Sequence, residues 1–156
     1  MRPRITIGIV GSRRRNTFAD FELVEEAFRH IYEPGDHLVS GGCPQGADRF
    51  CEMIAIQLAH PGYYIAETLM KLSLIERHQI IKKSGAPITI HHAHWDRYGK
   101  NAGHFRNALI ARDADRIIAC VAADRTGGTE STIEKFLKKT GLTESAAIAE
   151  GSLILV

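Results

Sequence analysis

The sequence is poor in features that mark several classes of protein. It has three cysteines, an odd number that suggests no disulfide framework, and reduced thiols in a cytosol are the simplest interpretation. No stretch approaches the roughly 18 consecutive apolar residues of a membrane span. The apolar run near the N-terminus is interrupted by Gly8 and ends in three arginines, which is unlike a signal peptide. We therefore expect a cytoplasmic protein with no membrane association.

Charge of one sign is also scarce. Lys and Arg number 20 against 18 Asp and Glu, and a net charge of +2 is too balanced to indicate nucleic-acid binding. The sequence has no G-x-G-x-x-G fingerprint, no phosphate-binding loop with a G-K-[ST] ending and no H-E-x-x-H motif. The function therefore has to be inferred from loops that match none of these standard motifs.

The composition is that of an ordinary globular protein, and 156 residues suit one domain over residues 1–156. Short apolar runs predict strands at 5–10, 37–40, 87–91, 116–121 and 153–156, with a less clear one at 63–66. Periodic apolar positions predict helices at 20–31, 47–58, 69–83, 102–112 and from 126–129 to about 139. This alternation predicts an α/β fold of the Rossmann-like, doubly wound type, with a mostly parallel sheet and helices on both faces.

Glycine-rich loops follow three of the predicted strands, at the end of the sheet where doubly wound folds bind ligands. The first loop is Gly11-Ser12-Arg13. Glycine lets the backbone approach a phosphate and the next helix offers free N–H groups, while Ser12 and Arg13 add a hydroxyl and a guanidinium. The alternative interpretation is a turn with solvated arginines.

The second loop supplies further candidate ligands for a phosphate, namely Ser40, Gly41, Gly42 and Gly46. Asp48, near the start of the next helix, can cap that helix or bind a ribose hydroxyl. Cys43 lies in the same loop and is a candidate nucleophile, because helix N-termini lower thiol pKa values, although no partner base is identifiable.

The third loop supplies Gly127, Gly128, Thr129 and Thr132 as candidate ligands. Thr129 is a natural N-cap for the helix that follows. Glu130 in the first turn favours the helix dipole but would repel an anion bound there. Helix capping alone can explain any one of these loops, but it explains three of them in one short chain less easily.

Basic side chains lie near the start of the helix predicted at 102–112. Arg106 can clamp a phosphate bidentately or can be a surface arginine. Asn107 and Lys100 are its neighbours and complete the candidate ligand set. Before this helix, Trp95 and Tyr98 can stack on a base or be partial core.

A group of histidines invites a metal interpretation. His91, His92 and His94 precede Asp96, and His104 follows. A catalytic zinc needs three ligands with supporting partners, and the spacing here matches no helix-borne motif. We predict no metal site and no cofactor.

The combined pattern resembles the SLOG superfamily, and within it the small YspA/YpsA-related proteins. The matching residues are Gly11-Ser12-Arg13, Val39-Ser40-Gly41-Gly42, Gly46-Ala47-Asp48, Trp95, Tyr98-Gly99-Lys100, Ala102-Gly103, Arg106-Asn107, Asp115, Gly127-Gly128-Thr129 and Thr132. The resemblance covers about residues 5–140. It implies a Rossmann-like fold, a nucleotide or nucleotide-derived ligand, and homo-oligomers that are dimers or larger.

Two branches of that superfamily suggest different activities. Lonely Guy phosphoribohydrolases carry a catalytic glutamate in a G-G-x-G-T-x-x-E loop, and Thr132 stands at that position here. Glu130 is two residues early, about 200° around a helix, which argues against the same mechanism. The DNA-processing protein A family binds single-stranded DNA, and its pattern is similar to Ser40-Gly41 with Gly46-Ala47-Asp48 and to residues 106–111.

Three hypotheses follow. The first is a sensor or binding module for a nucleotide-type ligand without robust catalysis. The second is a hydrolase that cleaves the N-glycosidic bond of a nucleoside monophosphate, with Arg106 on the phosphate and Glu130 or Asp48 as the carboxylate. The third is a protein that binds single-stranded nucleic acid, whose affinity would fall steeply with salt.

Overall fold

Five strands form one sheet at the centre of the computed structural model, which describes residues 2–156. They are β1 (Thr6–Gly11), β2 (His37–Ser40), β3 (Ile88–Ile90), β4 (Arg116–Cys120) and β5 (Leu153–Leu155). Their spatial order is β3-β2-β1-β4-β5, and each neighbouring pair is parallel. The chain runs from β1 to one edge and then crosses back to the other, which is the doubly wound arrangement.

The connections between strands contain helices of very different lengths. They are α1 (Phe18–Ile31), α2 (Ala47–Ala59), α3 (Ala66–Met70), α4 (Leu74–Ser84), α5 (Trp95–Tyr98), α6 (Ala102–Asp113), α7 (Gly128–Thr140) and α8 (Glu144–Glu150), with a 3₁₀ turn at Gly99–Asn101. Within residues 2–156, none of these helices has the length and apolar character needed to cross a bilayer.

Alternate residues of the inner strands face two separate hydrophobic cores. Ile7 of β1 and Ile118 of β4 pack with residues of α1 and α2 on one face. Val10 of β1 and Ile117 of β4 pack with residues of α6 and α7 on the other. Because helices cover both faces of the sheet, the strand residues that point to either face are apolar. The predicted α/β fold with helices on both faces of a parallel sheet is confirmed.

The region between β2 and β3 differs from the prediction. Residues 63–66 form no strand, because Tyr63 lies in a turn, with its N–H donating to the carbonyl of His60, and is 77% exposed. The helix predicted at 69–83 is two helices, α3 and α4. The break occurs because Ser73 caps α4, its hydroxyl accepting from the Glu76 N–H while the Glu76 carboxylate accepts from the Ser73 N–H.

Helix α8 was not predicted, although its termini carry recognisable signals. The Thr143 hydroxyl caps its first turn by accepting from the Ala146 N–H, and Gly151 ends it in the left-handed conformation. A seven-residue helix contains too few periodic apolar positions to be detected by pattern alone.

Candidate functional site

A cavity of about 290 Å³ opens at the carboxyl ends of β1 and β4. We call it the strand-end cavity. Most of the predicted ligand residues line it, namely Gly11, Ser12, Arg13, Asp48, Arg106, Asn107, Gly127, Gly128, Thr129 and Thr132. Parallel strands point their carboxyl ends to the same edge, so loops distant in sequence meet here.

The loop after β1 forms one wall of this cavity. A Cβ on Gly11 would lie 2.7 Å from the Cβ of Ala47 and 2.8 Å from that of Cys120, so no larger residue fits between α2 and β4. The Ser12 N–H donates to the Cys120 carbonyl at 2.9 Å, and the Ser12 hydroxyl accepts from the Arg14 N–H at 3.2 Å. The Arg13 side chain is left exposed at the mouth of the cavity.

The opposite wall is the N-terminus of α7. The N-cap is Gly127, with φ of 108° and no capping side chain, so the prediction that Thr129 is the N-cap is wrong. Thr129 lies inside the first turn and is nearly buried, and the Thr132 hydroxyl donates to the Gly128 carbonyl at 3.4 Å. By contrast, hydroxyl side chains cap α1, α4 and α8. The first turn of α7, which has no capping side chain, therefore adjoins the cavity through Gly127, Gly128 and Thr129.

Helix α6 contributes the third wall. The Arg106 guanidinium donates to the carbonyl of Gly41 at 3.1 Å and to the Asn107 side-chain oxygen at 3.2 Å. The Asn107 amide in turn donates to the Gly128 carbonyl at 3.2 Å. Within residues 2–156, neither Arg106 nor Arg13 forms an ion pair with a carboxylate. Both guanidinium groups thus retain charge and donors for an anion.

Asp48 is the acidic group on the cavity wall. Its carboxylate accepts from the Cys43 N–H at 3.0 Å, and the N-cap of α2 is Gly46, so Asp48 holds the loop rather than capping the helix. Burial raises the pKa of the Asp48 carboxyl, while the nearby charge of Arg106 and the bond from Cys43 act in the opposite direction.

Most of the loop after β2 does not line the cavity but packs against residues that do. Ser40 is fully buried, and Gly41, Gly42 and Gly46 do not line the cavity. A Cβ on Gly41 would lie 2.5 Å from Cδ of Arg106, and one on Gly46 would lie 2.7 Å from the carbonyl oxygen of Ser12. These glycines are therefore explained by close packing around Arg106 and Ser12.

Two predicted site residues lie elsewhere. Lys100 is exposed in the 3₁₀ turn and does not line the cavity. Glu130 points away from it, because Arg125 donates to both Glu130 oxygens at 2.8 and 2.9 Å. Arg125 also pairs with Glu144 and has φ of 54°, an unusual conformation for a residue with a Cβ. The ion pairs hold this residue in place on the outer side of the loop.

The structure adds residues that the sequence reasoning did not assign to the site. Arg14 and Thr126 line the cavity, and the Arg14 guanidinium donates to both carboxylate oxygens of Asp124 at 2.8 Å. Cys43, predicted as a candidate nucleophile, is also a wall residue. The run of three arginines after Ser12 was the available signal for Arg14. The Arg14–Asp124 pair joins the loops after β1 and β4 across the mouth of the cavity.

The histidine-rich segment does not assemble a metal site. Within residues 2–156, no cluster of three or more His, Cys, Asp or Glu side chains is placed to hold an ion. His91 instead shares a hydrogen bond of 2.6 Å with Asp113. His92 packs against His78, with ring centroids 5.5 Å apart.

The sheet order and the strand-end cavity define a Rossmann-like α/β protein. No protein-family model matches the chain, and no curated protein matches it by sequence. Solved structures do share the fold. DNA processing protein A from Helicobacter pylori, which binds single-stranded DNA, aligns with a TM-score of 0.55 and 16% identity over 97% of this chain and 74% of that one. The molybdenum cofactor binding protein from the phototrophic bacterium Rippkaea orientalis aligns with a TM-score of 0.52 and 15% identity over 100% of this chain and 91% of that one.

Proposed function

We propose that this protein binds a nucleotide or nucleotide-derived ligand, with its phosphate in the strand-end cavity. The observation that carries the proposal is that Arg13 and Arg106, neither of which forms an ion pair within residues 2–156, line the same cavity as the N-terminus of α7, which has no capping side chain. A phosphate between them would accept backbone N–H donors on one side and charged forks on the other. The SLOG-type pattern of the sequence supports a nucleotide as the source of that phosphate.

Binding by itself is the activity that these residues support best. The glutamate that Lonely Guy enzymes use is replaced by Thr132, whose hydroxyl donates to the Gly128 carbonyl. Glu130 is occupied by Arg125. The two proteins with related folds are described as binding ligands, single-stranded DNA in one and a molybdenum cofactor in the other. These comparisons support a ligand-binding module of Rossmann type.

The test is isothermal titration calorimetry with a panel of nucleoside monophosphates and ribose 5-phosphate. We expect Arg13→Ala to weaken binding about tenfold, the loss of one charged hydrogen bond. Arg29→Ala is the matched control, because this arginine is also exposed, lies on α1 away from the cavity and pairs with Glu25. Equal loss in both variants would point to overall charge, and absence of binding to the wild type at millimolar ligand would overturn the proposal.

A second candidate is N-glycosidic hydrolysis, which Asp48 favours. It is the carboxylate on the cavity wall, and its pKa is raised by burial, as a general acid requires. Chromatography for free base after incubation with nucleoside monophosphates tests this. Base release that disappears in Asp48→Asn would establish an enzyme, and no release would leave binding as the function.

A third candidate is binding of single-stranded DNA, which the fold shared with DNA processing protein A favours. Fluorescence anisotropy with a labelled oligonucleotide tests it. The affinity for the oligonucleotide should fall steeply between about 50 and about 200 mM salt, because each phosphate contact releases counterions on binding. No signal at the lowest salt would exclude it.

A further inference from the structure

A second cavity, of about 320 Å³, lies beside the strand-end cavity. Its walls include Tyr98, Phe105 and Leu109, with His92 and Arg106 at its polar side. We call it the aromatic cavity. Arg106 lines both cavities, so its side chain lies at the boundary between them.

The aromatic rings of this cavity are exposed to an unusual degree. Phe105 is 50% exposed and Tyr98 is 38% exposed, and their ring centroids lie 4.6 Å apart. Helix α6 packs on the sheet through Ile110 and Ala111 instead, so the i, i+4 pair of Phe105 and Leu109 is not its buried face. Large apolar rings left open in a concave site are typical of pockets for planar ligands.

His92 supplies a polar edge without adding charge. Burial lowers the pKa of His92, and the neighbouring His78, His94, Arg106 and His91 lower it further, so its imidazole is neutral near pH 7. A neutral imidazole carries one hydrogen-bond donor and one acceptor. Those groups complement the ring edge of a neutral heterocycle better than they complement an anion.

One loop connects the two cavities. The Gly41 carbonyl accepts from Arg106, and Gly42 lies against His92, since a Cβ there would be 3.0 Å from the His92 Nδ1. The next residue, Cys43, lines the strand-end cavity. The two cavities therefore share Arg106 and adjoin the same loop, residues 41–43.

We propose that the aromatic cavity holds the base of a nucleoside monophosphate whose phosphate lies in the strand-end cavity. This inference rests on the proposed phosphate site and adds the position of the base. The occupant is a mononucleotide because one phosphate-type cavity and one aromatic cavity meet at a single arginine, Arg106, which lines both.

The experiment compares AMP with ribose 5-phosphate, which has the same phosphate and sugar but no base, by titration calorimetry. We expect AMP to bind at least about fivefold more tightly, the lower end of what stacking on an aromatic side chain provides. Phe105→Ala and Tyr98→Ala should each remove most of that difference and leave the affinity for ribose 5-phosphate unchanged. Leu23→Ala is the control, because Leu23 is 44% exposed on α1, on the other face of the sheet.

Each other outcome overturns the inference in a distinguishable way. Equal affinity for AMP and ribose 5-phosphate would remove the base site and leave the phosphate site standing. No binding of either would remove both. Tighter binding of a twelve-nucleotide single strand (a length of roughly one binding site), lost in Phe105→Ala, would make the cavity a nucleic-acid surface. A change only in sedimentation of Phe105→Ala would make it a contact between copies of the chain.

Discussion

The guanidinium of Arg106 donates a hydrogen bond of 3.1 Å to the carbonyl oxygen of Gly41 and so joins α6 to the loop after β2. The two residues are 65 positions apart in sequence. The bond fixes the arginine between the strand-end cavity and the aromatic cavity. Its position depends on the absence of a side chain at Gly41, where a Cβ would lie 2.5 Å from Cδ of Arg106.

Gly41→Ala should therefore reduce ligand affinity more than stability. The added methyl displaces the Arg106 side chain, and we expect about a tenfold loss of nucleotide affinity by calorimetry, equivalent to roughly one charged hydrogen bond. Gly103→Ala is the matched control, because it lies within α6 and its Cβ would meet only the Trp95 ring at 3.6 Å. That control should keep its affinity and gain up to about 1 kcal/mol in stability. Equal affinity in both variants would contradict the role given to Arg106.

The buried pair of Glu52 and Arg77, which lies behind the loop after β2, should make a large contribution to the free energy of unfolding. Both side chains are almost fully buried, and the Arg77 Nε donates to Glu52 at 2.9 Å. Arg77 also donates to the carbonyls of Leu72 and Pro44, which ties α4 to the loop after β2. Arg77→Met leaves the buried Glu52 carboxylate with only the His78 Nε2 nearby, at 3.1 Å, and should cost about 3 kcal/mol in urea unfolding, the lower end for a broken buried pair.

The double variant Glu52→Leu with Arg77→Met should recover most of that loss, because it removes both charges. Arg29→Met is the surface control, since its side chain is 74% exposed, and it should cost less than about 1 kcal/mol. A double variant as unstable as Arg77→Met would show that the hydrogen bonds to backbone carbonyls, rather than the charge pair, account for the effect.

Cys43 should be the reactive thiol of the folded protein. Cys51 and Cys120 are fully buried, and burial raises the pKa of both, to about 11 for Cys120. A thiolate-selective disulfide reagent should modify one thiol in the native protein and all three after denaturation. Cys43→Ser should abolish the native reaction. Because Cys43 lines the strand-end cavity, AMP should slow its modification, and unchanged rates at saturating AMP would argue against ligand in that cavity.

Asp36 should make the fold sensitive to acid. Hydrogen bonds, first from Arg2 and also from the backbone of Glu33 and Ile5, lower the pKa of this buried carboxyl from 3.8 to about 2. A lowered native pKa stabilises the fold above pH 3.8, and that stabilisation, roughly 2 kcal/mol, is lost as pH falls through about 2. Asp36→Asn should thus be less stable than wild type at about pH 5. The difference in their free energies of unfolding should disappear toward about pH 2, because the wild-type carboxyl is then protonated as well. A gap that is constant across this range in denaturant titrations would exclude the linkage.

Much of the fold followed from local patterns. The apolar β-branched run of β1 predicts a strand, and the Pro and Gly residues between elements predict where strands and helices end. These signals do not depend on tertiary contacts. Parallel strands share an edge for their carboxyl ends, so the loops at Gly11 and Gly127 were expected to meet, and they do. The capping signals at Ser73 and Thr143 were also present in the sequence, but Ser73 lies inside a longer periodic apolar pattern and the helix after Thr143 is too short to show one.

The sequence alone predicted the five strands of the sheet, most of the longer helices, the sheet class and the strand ends that surround the cavity, because each depends on residues that are neighbours along the chain. Only the tertiary structure decided which side chains face that cavity. Glu130 is drawn outward by Arg125, which also pairs with Glu144, and Arg106 is held inward by the Gly41 carbonyl. Such pairings join side chains with several possible rotamers to partners in other elements, so packing selects the partner and no local pattern specifies it.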